Sequence, residues 1–183
     1  MKFTPAAAYV ARCVVQIKLF FTMEATKKHD DYTRFEETAK VIVSSDINNN
    51  INWNDYFVSG DIDEIKKTVR AHGIINISVE DIICTLSTTN ANYVTSGEGM
   101  GIDRVVTALN HAINKLPVKL QDIEKMIVNL WISKSQSIEM SEIKRMAKYF
   151  GCKFPDIDLI WGIAIDPDIN DDGIKITLIA GSK

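Results

Sequence analysis

Much that would announce a chemistry is scarce or missing in these 183 residues. Cysteine occurs three times, at Cys13, Cys84 and Cys152, with no CxxC pair, and the three histidines (His29, His72, His111) are scattered. That argues against a zinc site and against a disulfide framework. The cysteines are read as small apolar core residues in a reducing cytoplasm. Glycine occurs nine times and never twice in succession, so no glycine-rich loop of the kind whose backbone amides cradle phosphates can be drawn. No apolar run approaches the ~20 residues that a membrane-spanning helix needs. The net charge of -3 argues against a whole-surface attraction to nucleic acid. What remains is the composition of a folded globule, with 46% hydrophobic and 25% charged residues.

Charge is uneven along the chain. Residues 1–23 hold Lys2, Arg12 and Lys18 and no acid. Val10, Val14, Ile17 and Phe21 fall at helical spacing there, so a basic amphipathic helix is one reading. A helix docked on the protein's own core, or an extension ahead of a true start at Met23, is preferred to a membrane contact. Residues 24–60 are polar and mixed. Val41–Val43 reads as a short strand and Asn48–Asn50 as a turn. Trp53, Tyr56 and Phe57 are expected to pin this region to the rest of the protein, with a contact patch as the alternative.

From Asp61 onward the periodicity sharpens. A helix over 61–71 places Ile62, Ile65 and Val69 on one face, with acids in its first turn and Gly73 as its stop. Ser78 can N-cap a second helix, with Asp81 three residues on and Ile82, Ile83 and Leu86 as its buried side. Residues 91–95 read as a strand, and Gly97, Gly99 and Gly101 as a turn. Residues 102–114 and 138–150 are amphipathic helices. The runs MIVNLWI (126–132), LIWGIAI (159–165) and IKITLIA (174–180) are strands, with Trp131 and Trp161 in the core. The expected fold is α+β: a two-layer sandwich with a mixed four-stranded sheet and helices packed on it. Residues 61–183 form this domain and residues 1–60 a helical or irregular extension.

Other motifs weigh little. Gly97-Glu98-Gly99-Met100-Gly101 fails the dinucleotide spacing at Ile102. Asp168–Gly173 opens like a calcium loop but has Ile179 where the bidentate Glu belongs, so it reads as an acidic turn between strands. Arg104, in the first turn of its helix, is expected to pair with an acid such as Glu98 or Asp103. No metal, cofactor or nucleotide site is expected.

Five segments resemble, in order, parts of the bacterial tubulin relative FtsZ. Gly73–Ile77 (GIINI) resembles the G-L-I-N-L that ends the family's central helix. Gly97–Arg104 resembles its glycine-rich turn and E-N-R helix start. Pro117 and Ile123 sit near its P-L…I-E-G-A. Phe154–Asp166 resembles its D-P-D-A-N-I-I-F-G-A-V-I-D, and Ile174–Gly181 its final R-V-T-V-I-A-T-G strand. The resemblance covers residues 61–183 and implies the FtsZ C-terminal domain without the GTP-binding domain.

In the family a loop N-L-D-F-A-D completes GTP hydrolysis on the neighbouring subunit, its carboxylates acting on the attacking water. The matching stretch here is Asn76-Ile77-Ser78-Val79-Glu80-Asp81. Asp81 keeps the second acid, and Ser78 replaces the first. Ser and Asp cap helices about equally well, so the exchange keeps the helix start and drops a charge. Glu80, one place out of register, and Asp81 are explained by first-turn dipole pairing alone. The resemblance thus implies a non-catalytic interaction module. Its contact residues would be Asn76, Ser78, Glu80 and Asp81, and its partner FtsZ or a related filament subunit. The alternative is a small ligand-binding or enzymatic domain, which a deep polar pocket with buried titratable groups would favour.

Overall fold

The computed structural model describes Ile51 and residues 55–183. The readings for Val10–Phe21, Val41–Val43, Asn48–Asn50, Cys13, His29 and Trp53 lie outside the described residues. The elements run β1 (Val58–Gly60), α1 (Ile62–Arg70), β2 (Gly73–Ile75), α2 (Val79–Thr88), β3 (Ala91–Met100), α3 (Arg104–Asn114), β4 (Ile123–Ile132), α4 (Met140–Lys153), β5 (Asp158–Ile165) and β6 (Gly173–Ser182).

The strands form one mixed sheet in the order β1-β3-β6-β4-β5-β2. β4 and β5 run parallel, joined by α4, and β6 is antiparallel to both β3 and β4. The α+β class and the mixed sheet with packed helices are as expected. The sheet has six strands rather than four, because β1 and β2, of three residues each, add themselves at its edges. Segments that short carry no readable periodicity.

Both faces of the sheet are covered, so there are three layers rather than two. Met126, Val128, Leu130 and Ile132 of β4 join Ile174, Ile176, Leu178 and Ala180 of β6 beneath α3 and α4. The intervening Ile127 and Ile179 face Ile65 and Val69 of α1 and Ile82 and Leu86 of α2. Successive side chains in a strand point to opposite faces, so nearly unbroken apolar strands require two cores. Each such fully buried side chain contributes on the order of 1.5–3 kcal/mol. Trp131 and Trp161 are buried, as expected.

Three local readings change. Gly73 does not stop α1; it opens β2, where a Cβ would fall 2.0 Å from the carbonyl oxygen of Ile163. Gly97 and Gly99 lie inside β3, and only Gly101, with φ of 72°, makes the turn. The acidic segment 166–172 does link β5 to β6, but β4 lies between those two strands. The cysteine expectation fails at Cys84 and Cys152: both are exposed and free. At the start of the described region Tyr56 is half-buried beside the second core, whereas Phe57 is exposed.

Candidate interaction loop

Residues 76–81 form a short bridge between edge strand β2 and helix α2. β2 pairs antiparallel with β5, Gly73 opposite Ala164 and Ile75 opposite Ile163. Asn76 folds back, its side-chain oxygen accepting the Gly73 N–H at 3.0 Å. Ile77 is buried in the second core and reaches toward Gly162 of β5. That plug fixes the loop from beneath, while Asn76, Ser78 and Glu80 point to solvent.

The helix start is a complete capping box. The Asp81 N–H donates to Ser78 Oγ at 3.1 Å. In return Asp81 Oδ2 accepts from the Ser78 N–H at 3.0 Å and from the Ser78 hydroxyl at 2.9 Å. Such reciprocal bonds satisfy donors that a helix N-terminus otherwise leaves open. They also commit one Asp81 carboxylate oxygen to the helix start. The structure therefore brings Asn76, Ser78 and Asp81 together in one fixed turn, with Glu80 projecting outward beside them.

The remaining candidates lie elsewhere. His72 and His111 are both exposed, the latter with Nδ1 2.8 Å from the carbonyl oxygen of Glu98. In the acidic segment Asp171 accepts from Ser133 and Ser135, which ties it to the end of β4. Those hydroxyls hold its carboxyl below the usual range. Among the described residues no group of three or more His, Cys, Asp or Glu could hold a metal ion. No described helix is long and apolar enough to cross a membrane.

Arg104 departs from the expectation. It pairs not with Glu98 or Asp103 but with Glu142 of α4, at 2.7 Å, both side chains buried. Asp103 pairs with Arg145 instead, at 2.8 Å.

A polar track missed in the sequence holds α1 onto the sheet. Glu64 accepts from Lys175 Nζ at 2.6 Å and from the Thr177 hydroxyl at 2.7 Å. Thr177 Oγ1 in turn accepts the Trp131 indole N–H at 2.9 Å. Lys67 pairs with Asp166 at 2.7 Å and sits 4.9 Å from the centre of the Trp131 ring. Burial pushes the Glu64 carboxyl up, but hydrogen bonds from Lys175 and Thr177 outweigh it and leave the group below its ordinary value. The signal available in the sequence is the alternation in IKITLIA, where Lys175 and Thr177 share a face.

No family model matches the chain. It is 25% identical over 119 residues to the cell division protein FtsZ of Porphyromonas gingivalis, covering 63% of this chain and 26% of that protein. It is 30% identical over 111 residues to FtsZ of Neisseria meningitidis serogroup B, covering 58% and 28% respectively. Among solved structures, the empty FtsZ dimer of M. jannaschii superposes with a TM-score of 0.56 at 16% identity, over 66% of this chain and 35% of that one. Its W319Y mutant superposes with the same TM-score at 14% identity, over 88% and 44%.

The domain is FtsZ-like.

Its α+β fold is like that of the FtsZ C-terminal domain. The chain spans about a quarter of the length of the curated FtsZ proteins it matches.

Proposed function

We propose that this chain is a non-catalytic, cytoplasmic interaction module that binds or modulates a filament-forming, tubulin-like GTPase in cell division or segregation. The observation that carries the reading is the loop Asn76–Asp81. It is rigidly presented, with Ile77 buried beneath it and a complete cap at its end. Its retained acid, Asp81, is held by Ser78, and Ser78 stands where the FtsZ pattern has the other acid. A carboxylate with one oxygen engaged in a helix cap is restricted as an orienter of water, because its position is fixed by the cap and only its other oxygen is left to act. The same cap makes a well-ordered recognition element, since little conformational freedom is left to lose on binding.

Two further features support the reading. No two glycines are adjacent anywhere in the 183 residues, which leaves nothing resembling the tubulin-type phosphate loop. The similarity in sequence and fold is to proteins named for cell division.

The test is sedimentation of FtsZ polymer from the same source, formed with GTP, with and without this chain. Co-pelleting of the chain, or a change in pelleted polymer mass, is expected. Absence of both overturns the reading. Calorimetric titration of the chain alone with GTP should give no binding isotherm, and micromolar affinity would contradict the non-catalytic assignment.

A further inference from the structure

Helices α3 and α4 cover one face of the sheet, with α1 and α2 on the other. They lie side by side and run the same way. Arg104 meets Glu142 near both starts, and the Tyr149 hydroxyl donates to Asn110 Oδ1 nearly two turns further on.

This layer differs in charge from the rest of the molecule. The chain is net acidic, at -3, yet residues 143–155 hold Lys144, Arg145, Lys148 and Lys153 and no acid. Residues 104–121, which include all of α3, hold no acid either. Arg145 pairs with Asp103. Lys144, Lys148 and Lys153 are exposed. Lys153 Nζ donates to the Tyr149 hydroxyl rather than to a carboxylate. Among the described residues neither Lys144 nor Lys148 has a carboxylate partner. Lys153, in the last turn of α4, complements the helix dipole. Lys144 and Lys148, one turn apart in the middle of the helix, have no such local purpose.

We infer that this face rests on the surface of an anionic lipid bilayer, held by charge and not by insertion. Charge complementarity requires an anionic partner, and the make-up of the layer selects the bilayer. No large apolar side chain of α3 or α4 is exposed, so the face lacks the apolar or aromatic centre on which protein interfaces depend. α3 has no aromatic residue, and Tyr149 and Phe150 of α4 are half-buried and buried, so nothing is offered for stacking on bases. Two helices packed side by side span about 20 Å, too wide for the ~12 Å major groove of a duplex. A second copy of the same basic face would be repelled. A flat row of ammonium groups suits a flat layer of phosphate head groups, each lysine near the surface strengthening attachment about fivefold. The contact leaves the Asn76–Asp81 loop, on the α1 and α2 side, turned away from the bilayer, and it depends neither on that loop nor on a filament partner.

Co-flotation of the full chain with vesicles of phosphatidylcholine and phosphatidylglycerol in equal parts tests this. Vesicles of phosphatidylcholine alone are the neutral control, and duplex DNA and poly-glutamate, followed by anisotropy, are the competing polyanions. Binding to the anionic vesicles at about 0.05 M salt, fading by about 0.5 M, is expected. Lys144→Gln with Lys148→Gln should weaken it about twenty-fivefold. Lys66→Gln with Lys134→Gln removes as much charge from the α1 side of the sheet and should leave binding within about twofold. Both double variants keep the basic residues 1–23, so a difference between them belongs to α4. Far-ultraviolet circular dichroism checks that each remains folded. Absence of binding to the anionic vesicles overturns the inference. So do equal binding to the neutral vesicles, equal losses in the two double variants, or tighter binding to duplex DNA or poly-glutamate than to the anionic vesicles.

Discussion

Arg104 and Glu142, 38 residues apart, form a two-pronged buried ion pair, with Nε 2.7 Å from Oε1 and Nη2 3.1 Å from Oε2. The pair joins the start of α3 to the first turn of α4. Every remaining arm is engaged. Arg104 Nη1 also donates to Gln136 Oε1 and to the carbonyl of Gly173, and Glu142 Oε2 accepts the N–H of Glu139. Removing one partner strands the other without water. Glu142→Ala is therefore expected to cost roughly 3–5 kcal/mol, read by urea unfolding. The double change Arg104→Met with Glu142→Leu should recover most of that loss, since an apolar pair carries no desolvation penalty.

Stability should fall in acid through three carboxylates that do structural work. Burial raises Glu142, Glu64 and Asp166, but hydrogen bonds from Arg104, from Lys175 and Thr177, and from Lys67 outweigh it and leave all three below their ordinary values of 4.5, 4.5 and 3.8. A carboxyl held low in the folded state contributes stability that is fully present above its unfolded value and is lost as pH falls through the folded one. Unfolding free energy measured in urea should thus be level, for these groups, above about pH 5 and decline progressively below pH 4.5. Glu64→Gln should make the decline shallower. A stability that rose on acidification would contradict the assignment.

Gly97 and Gly99 are where β3 and α3 touch backbone to backbone. A Cβ on Gly97 would stand 2.2 Å from the carbonyl oxygen of Ala108, and on Gly99 2.0 Å from that of Arg104. Neither obstacle is a flexible side-chain tip, so the helix must move away. Gly97→Ala and Gly99→Ala are each expected to cost about 3 kcal/mol. Gly101→Ala, in open space but at positive φ, should cost only about 1 kcal/mol. Thermal melts of the three variants give the ranking.

The α2 cap offers a gentler perturbation. Ser78→Ala removes the acceptor for the Asp81 N–H and should cost about 1 kcal/mol, while Ser78→Thr should stay near the parent value. Chemical denaturation distinguishes them. Equal stability of all three proteins would mean that the box contributes nothing.

Local signals carried most of this architecture. Asp61, read as a first-turn acid of α1, is instead its N-cap and accepts the Asp63 N–H, while the Ser78–Asp81 spacing pointed to the α2 box. Ile143, Met146, Ala147 and Phe150 share the buried face of α4 as their period requires. Relations between distant residues were not legible. Nothing near Arg104 points to Glu142, and the nearby acids Glu98 and Asp103 were the natural but wrong choice. The glycines of β3 read as a turn because glycine at close-approach positions and glycine at bends look alike in sequence. The second core was present in the nearly unbroken apolar runs of β4 and β6, whose lack of alternation implies burial on both faces. In the candidate loop, Asn76, Ser78, Glu80 and Asp81 were found through the FtsZ resemblance. The plug beneath them, Ile77 against Gly162, depends on a strand about 85 residues away that no local pattern connects.

Direct binding between this chain and FtsZ from the same source, followed by fluorescence anisotropy of labelled chain, tests the central claim. Saturable binding is expected, weakened about tenfold or more by Glu80→Gln combined with Asn76→Ala, in a variant that circular dichroism shows to remain folded. No binding at concentrations up to about 100 μM, or equal binding by the loop variant, would contradict the account.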